Sequence, residues 1–406
     1  MSLEQLRQDF PMLQQRLNNK PIVYFDNACV SLRPQVVIDA ITQYYQEYSA
    51  CGGRSMHKLG KRVTQECAVA RQIIANFIHA QKPEEVIFTR NTTEGINLVA
   101  RSLNLTAGDV VLTSDKEHNS NLVPWQVLAK QKNIAHKIIP SNPDNTFNLE
   151  TYQNVLNTHK GKVKLVAIGY TSNLDGVTFP IKDIVKLAHQ AGAKVLVDAA
   201  QAMLHHRIDV QNLDVDFLAF SGHKMLGPSG MGILYGKYDL LEQLEPFLVG
   251  GDTVEYTTYT EHKFLSAPKK FEAGLQDYAG MIGLGTAAKY LESLNYAEIN
   301  QQEFTINKYI TEQISQLPKL HIIGPVEPAQ RGSIVSFYVD GVDSHKIALM
   351  LDESANIMVR SGQHCVHSWF NAHNIHSSVR VSFSFYNTLA EAELFATQLK
   401  KILMVL

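Results

Sequence analysis

Long apolar runs are missing from this 406-residue chain. No stretch reaches the roughly 18 residues that a membrane-crossing helix needs, so a helical membrane protein is not expected. Charge of one sign is missing too. Lys and Arg number 37 against 39 Asp and Glu, a net charge of −2. Such a balance has no basic footprint for nucleic acid. Cysteine is scarce: Cys29, Cys51, Cys67 and Cys365 stand far apart. Four scattered thiols make no disulfide framework; in a reducing compartment they are core, catalytic or metal-ligating residues. The start of the chain lacks the basic-then-apolar layout of a signal peptide, so a cytoplasmic protein is expected. Internal repeats, low-complexity tracts and flexible linkers are absent as well. What remains is 45% hydrophobic and 19% charged, ordinary for a globular protein with a large core.

The most informative stretch is Ser221-Gly222-His223-Lys224, followed by Gly227, Pro228, Gly230 and Gly232. It comes after Phe217-Leu218-Ala219-Phe220, an apolar run that reads as a buried strand. Glycine and proline then break regular structure. Lysine is rarely buried without a partner. Lys224 is therefore either an exposed turn residue or an amine held in a pocket, where it can form a Schiff base with an aldehyde. Ser221, His223 and the open glycine backbone offer donors for a phosphate. An aldehyde with a phosphate describes pyridoxal 5'-phosphate.

The rest of the chain alternates strand and helix. A short amphipathic helix is expected over 2–17, a strand at 22–25 and helices at 34–48 and 60–80. Strands are expected at 86–89, 109–113, 163–169, 194–198, 217–220 and 232–235, with helices at 120–130 and 181–190. This pattern predicts an α/β fold with a mostly parallel sheet and helices on both faces. Ligands in such sheets sit at the strand ends. After about residue 285 a smaller α+β unit follows, with one long helix over 280–316. Strands are expected at 334–339, 357–360 and 379–385, and helices at 344–353 and 389–404.

Polar residues cluster at the predicted strand ends. Thr92 and Thr93 begin a helix after the strand 86–89; they bind phosphate there or cap the helix. Asp198 closes an apolar strand and needs a partner, either a pyridinium nitrogen or a helix start. Gln201 either bonds a ring hydroxyl or completes a capping box with Asp198. His118 stacks on a cofactor ring or lies in a surface loop. Asn173 bonds the ring or makes a turn. Cys365, within Arg360-Ser361-Gly362-Gln363-His364-Cys365-Val366-His367, has the setting of an activated thiol. His364, Cys365 and His367 lack the further ligands of a zinc site, so no metal is expected. Arg380, inside an apolar run, suits a substrate carboxylate or a structural ion pair.

Taken together, these motifs resemble the class V aminotransferase group of fold type I pyridoxal phosphate enzymes. Within it they look most like group II, Suf-type cysteine desulfurases and selenocysteine lyases. The likeness runs through Tyr24-Phe25-Asp26-Asn27-Ala28, Thr92-Thr93-Glu94-Gly95, Glu117-His118, Val197-Asp198-Ala199-Ala200-Gln201 and Ser221-Gly222-His223-Lys224. It continues through Phe271-Glu272-Ala273-Gly274, Arg360 to Cys365 and Tyr386-Asn387-Thr388.

The resemblance implies a seven-stranded, mostly parallel sheet in a large domain at 22–285. A small domain at 286–406 would carry the cysteine loop, with residues 1–21 packing on it. It implies that Lys224 holds the cofactor and moves the substrate Cα proton. Asp198 would pair the ring nitrogen, Gln201 the ring oxygen, and His118 would stack on the ring. Thr92, Thr93, Ser221 and His223 would lie at the phosphate. Ala28, Asn173, Arg360 and Arg380 would hold the substrate, and Arg54 and His57 would cross to a second copy in a homodimer. Cys365 would take sulfur from L-cysteine as a persulfide, release L-alanine and pass the sulfur to an acceptor protein. Three positions depart from the family pattern: Cys29-Val30-Ser31 replaces a Thr-containing run, Leu275 a threonine, and Asn119 a histidine. Cys29 and Cys51 fall in loops near the implied site. One of them is expected to shape the pocket or receive sulfur, unless both are small buried hydrophobes.

Overall fold

The computed structural model describes residues 3–406. The first residue of the helix expected over 2–17, and the first two of the segment 1–21, lie outside them. Alternating side chains on each central strand feed two apolar cores. On the strand Phe217–Ser221, Leu218 and Phe220 enter one core, while Phe217 and Ala219 enter the other. Every residue of that strand is buried, because helices cover both faces.

The central sheet has seven strands. In spatial order they are Val86–Thr89, Gly232–Gly236, Phe217–Ser221, Lys194–Asp198, Val163–Gly169, Val110–Ser114 and Ala135–Ile139. Gly232–Gly236 runs against both neighbours, and the remaining adjacent pairs are parallel. The parallel strands end at one side of the sheet, at Ser114, Gly169, Asp198 and Ser221. The edge strand Ala135–Ile139 was not expected. It is only half-covered, and two of its residues are exposed, so it lacks an apolar run.

A second, antiparallel sheet follows the order Leu320–Ile323, Ile334–Val339, Ser378–Ser382, Arg360–Gly362. It packs with Tyr296–Ile314, Ser344–Ala355 and Leu389–Leu403 around a separate core. The long helix expected over 280–316 is two helices, Tyr278–Glu292 and Tyr296–Ile314. Asn295 caps the second by accepting from Ala297 N–H, which resets the chain direction. The first packs on the helices Gln35–Glu47 and Lys58–Phe77, so the large unit extends past residue 285.

The strand expected at 22–25 is Val23–Tyr24, and it pairs with Ile357–Met358 rather than with the central sheet. Val23 of this strand and Phe25 just after it join the smaller core. The segment before it is also corrected: a helix Leu3–Arg7 stops before a 3-10 turn, Pro11–Gln14. Pro11 cannot donate to a continued helix. The expected strand at 357–360 divides as well, since Arg360–Gly362 pairs in the four-stranded sheet.

Two motifs of the sequence turn out to join elements. Glu272 takes a forked pair of bonds from Arg71, at 2.7 and 2.8 Å, and one from Phe88 N–H. The Tyr386 hydroxyl donates to Asn27 and accepts from Leu32 N–H, while Thr388 and Glu391 form a capping box. The latter motif ties the start of the last helix to the Asp26–Leu32 loop.

Candidate active site

A cavity of about 430 Å³ opens at the strand ends of the central sheet. Lys224 leaves the strand Phe217–Ser221 through a single 3-10 turn, Gly222–Lys224. Among the described residues its amine forms no hydrogen bond and no ion pair. Burial pulls that amine below the ordinary lysine range, Asp198 opposes the shift, and Arg380 adds to it. Asp198 ends the next strand and is buried. No helix begins there, so it is not a helix cap. Its carboxylate accepts from Ala200 N–H at 2.9 Å. Burial raises its pKa, against the pull of that bond and of Lys224.

The helix Thr92–Ser102 points its first turn at the cavity. Asn91 is its cap, accepting from Glu94 N–H, so neither threonine has that task. Ser221 Oγ takes a bond from Thr92 N–H at 2.9 Å and lies 2.6 Å from Thr92 Oγ1. Thr93 Oγ1 meets Ser120 Oγ at 2.7 Å. The close approach depends on Gly232, where a Cβ would fall 2.6 Å from Asn91 Cα. His223 lines the same end.

His118 lies above this floor. Its Nδ1 accepts from Ser120 N–H at 3.1 Å, which leaves the ring proton on Nε2. Burial, then Lys224, Arg380 and His367, push its pKa down to about 3. The ring is therefore neutral at ordinary pH. Behind it Glu117 is fully enclosed, with bonds from Ser114, Asn121 and Gly169 N–H. Burial raises its carboxyl to about 7. The sequence placed Glu117 in a motif but gave it no task, since nothing local shows that Gly169, 52 positions away, joins Ser114 and Asn121 in closing around it.

Gln201 donates to Ala28 O at 2.7 Å, and Ala28 N–H donates to Ser382 Oγ at 2.9 Å. Asn173 donates from Nδ2 to His364 O at 2.7 Å, and its own carbonyl accepts from Arg380. Arg380 lies 3.6 Å from Asp26 and Arg360 lies 3.5 Å from it, so the two arginines share one carboxylate. The cysteine loop is clamped on both sides. His364 O is held by Asn173, and Cys365 O accepts from Asn119 N–H at 2.8 Å. His364 and Cys365 both adopt positive φ, 49° and 60°. Non-glycine residues rarely sit there, so these bonds hold a strained turn that sets out the Cys365 side chain.

Asn119, a departure from the family pattern, also meets His367 at 2.9 Å through its side chain. His364 Nε2 is taken by Ser378 Oγ at 2.8 Å. No group of three or more His, Cys, Asp or Glu residues suited to a metal occurs among the described residues. No helix there is long and apolar enough to cross a membrane.

Two expected site residues are not at the cavity of this chain. Arg54 is exposed and pairs with Asp252 at 2.6 Å. His57 caps the helix Lys58–Phe77 by accepting from Gly60 N–H. Leu275 is likewise exposed, after Gly274 at φ 76°.

The aminotransferase class-V family model matches residues 23–395. The chain belongs to the class-V aminotransferase family. A probable cysteine desulfurase of Synechocystis is 40% identical over 399 residues, covering 97% of this chain and 94% of that protein. The apo structure of a cysteine desulfurase from Thermococcus onnurineus is 36% identical, with a TM-score of 0.93. It spans 99% of this chain and 98% of its own. The cysteine desulfurase CsdA of Escherichia coli is 31% identical with a TM-score of 0.91, over 100% and 99% of the two chains.

Enzymes of this family work with pyridoxal 5'-phosphate. The residues present fit that group. A partnerless lysine amine, a buried strand-end carboxylate and a hydroxyl-lined helix start face one cavity.

The buried imidazoles lead to a pH prediction. Burial lowers His118 to about 3 and His136, His206 and His223 to about 4, all from 6.5. Unfolding lets each take a proton, so their contribution to stability is present above pH 6.5 and lost as pH falls toward 4. Glu117 acts oppositely, losing stability as pH rises through about 7. His364 is lowered as well, and Asp198 and Asp26 are raised like Glu117; five histidines stand against three carboxyls, so the melting temperature is expected to be lower at pH 5 than at pH 7. An equal or higher value at pH 5, read by scanning fluorimetry, would show that these rings are not held neutral.

Proposed function

We propose that this protein is a pyridoxal-phosphate-dependent cysteine desulfurase that converts L-cysteine to L-alanine and leaves a persulfide on Cys365. One observation carries the reading: Lys224, Asp198 and Cys365 line a single cavity. Bound there, the cofactor supplies an electron sink for negative charge at the substrate Cα. Lys224 would hold it, Asp198 would keep a proton at its ring nitrogen, and Gln201 would approach its ring oxygen. The Thr92–Ser221 pair, Thr93 and His223 would receive its phosphate, helped by the helix start.

Arg380 binds the substrate carboxylate in this reading, with Arg360 and Asn173 beside it. Lys224 moves the Cα proton, which its lowered pKa favours. His118, neutral and carrying its proton on Nε2, would stack on the cofactor ring. The Cys365 thiolate attacks the substrate sulfur. A new S–S bond forms as the Cβ–S bond breaks, and its electron pair stays with carbon. Protonation of carbon then releases alanine.

The persulfide passes to an acceptor protein, as for iron–sulfur cluster or thio-cofactor assembly, in the cytoplasm. Exposed Arg54, His57 and Leu275 support a homodimer in which that face meets a second copy. The chain divides into a large cofactor-binding unit and a small unit that carries the Cys365 loop. The alternative is a selenocysteine lyase or another class V lyase.

The test is alanine formation from L-cysteine with a thiol reductant, for the natural protein and Cys365→Ser. Alanine from the first and little from the second supports the reading. A yellow natural protein that makes no alanine from L-cysteine, yet makes it from selenocysteine, supports the alternative.

A further inference from the structure

Cys29 lines the cavity, yet the reaction above gives it nothing to do. It is half-buried on the loop that follows Phe25. Arg360 Nη1 donates to its sulfur at 3.2 Å. Arg360 also begins the strand Arg360–Gly362, which runs directly into the Cys365 loop. One arginine thus touches the first thiol and starts the segment that carries the second. Both thiols act electrostatically on Arg360 and on Lys224.

The surroundings have positive charge to spare. Arg360 and Arg380 share the single carboxylate of Asp26. Arg380 is 3% exposed and lines the cavity, and its Nε has no partner. The two remaining cysteines lack this setting. Burial pushes the Cys67 thiol up to about 12. Cys51 is exposed, with its sulfur 3.9 Å from the Tyr278 hydroxyl.

Resting on the desulfurase reading, we propose that Cys29 is a second sulfur-holding site. It takes the outer sulfur of the Cys365 persulfide and keeps it as an anion against Arg360. The Cys29 thiolate attacks that outer sulfur. A bond from it to Cys29 Sγ forms, and its bond to Cys365 Sγ breaks. Cys365 leaves as thiolate with the electron pair and collects the proton that Cys29 gave up. The exchange moves one sulfur with no net oxidation. A guanidinium N–H to a charged sulfur is the stronger, charge-assisted kind of hydrogen bond. Cys365 is thereby freed for a second turnover before any acceptor arrives.

The experiment uses the holoenzyme with excess L-cysteine and no reductant, quenched over time with an alkylating agent. Peptides are then mapped by mass spectrometry. Bound sulfur is expected first on the peptide with Cys365 and later on the one with Cys29, reaching two sulfur atoms per chain. Cys29→Ser should stop at one, and in Cys365→Ser the Cys29 peptide should stay bare. A natural protein whose Cys365 is fully loaded while Cys29 never carries sulfur overturns the proposal and leaves the desulfurase reading intact. Sulfur on Cys29 in Cys365→Ser overturns the transfer step, because Cys29 would then draw on substrate directly. Absence of both alanine and Cys365-bound sulfur overturns the two readings together.

Discussion

Replacing Lys224 with alanine is expected to cut alanine formation by about 10²–10⁴-fold, the usual contribution of a placed proton-transfer group. The same change should let the cofactor dialyse away, with loss of visible absorbance, because its covalent anchor is gone. Substrate affinity measured on cofactor-loaded protein should change far less, since Arg380 and Asn173 remain. Stability should move the other way. An amine with no partner in a half-buried setting disfavours folding when cofactor is absent. Cofactor-free Lys224→Ala should therefore melt higher than the cofactor-free natural protein. Activity within about tenfold of natural, a loss of roughly 1.4 kcal/mol or less, would show that another group moves the proton.

The second large effect is structural. Lys116 and Asp175 are both wholly buried, 2.7 Å apart. Lys116 leaves the sheet beside Glu117, and Asp175 lies two residues after Asn173. Lys116 also reaches Asn145 O, and Asp175 accepts from Val177 N–H. Gly176, at φ 76°, lies so near Arg331 O that no side chain fits. The pair therefore holds the turn that presents Asn173 to the cysteine loop. Lys116→Met strands a buried carboxylate and is expected to cost about 3–5 kcal/mol. Asp175→Asn is expected to cost a similar amount by leaving the ammonium unpaired. Combining Lys116→Met with Asp175→Leu should recover part of the loss, because both charges of the pair are then gone, while wholly buried Arg331 loses the electrostatic support of Asp175. Denaturant titration of the three variants checks this. Single losses below about 1 kcal/mol would mean that the charges are solvated.

These two predictions differ in how far the sequence alone supports them. Lys224 was legible: a lysine straight after a buried apolar run, then glycines, is unusual enough to point at chemistry. Asp198 was legible for the same reason. Lys116 was not, because its partner lies 59 positions away and neither residue stands in an unusual local pattern. Thr92 read equally well as a helix cap, and only the bond from Glu94 N–H to Asn91 settled that. The tasks of Glu272 and of Tyr386 to Thr388 were hidden too, because a motif names its residues but not what they touch. The strand at Val23–Tyr24 was found, yet its sheet was not. Two extended residues pair equally well with either edge until the packing of Phe25 decides.

The sequence by itself determined the alternation of strands and helices, the mostly parallel sheet and the polar and charged residues that stand at its strand ends. Those signals are local: apolar period, glycine and proline breaks, and a charged residue closing a buried run. Tertiary structure decided which of those residues meet. It joined Arg360 to Cys29 across 331 positions and clamped the Cys365 loop between Asn119 and Asn173. It also left Arg54 and His57 outside the cavity of a single chain. Contacts of that range follow from how two cores pack against each other, and no residue pattern within one segment encodes them.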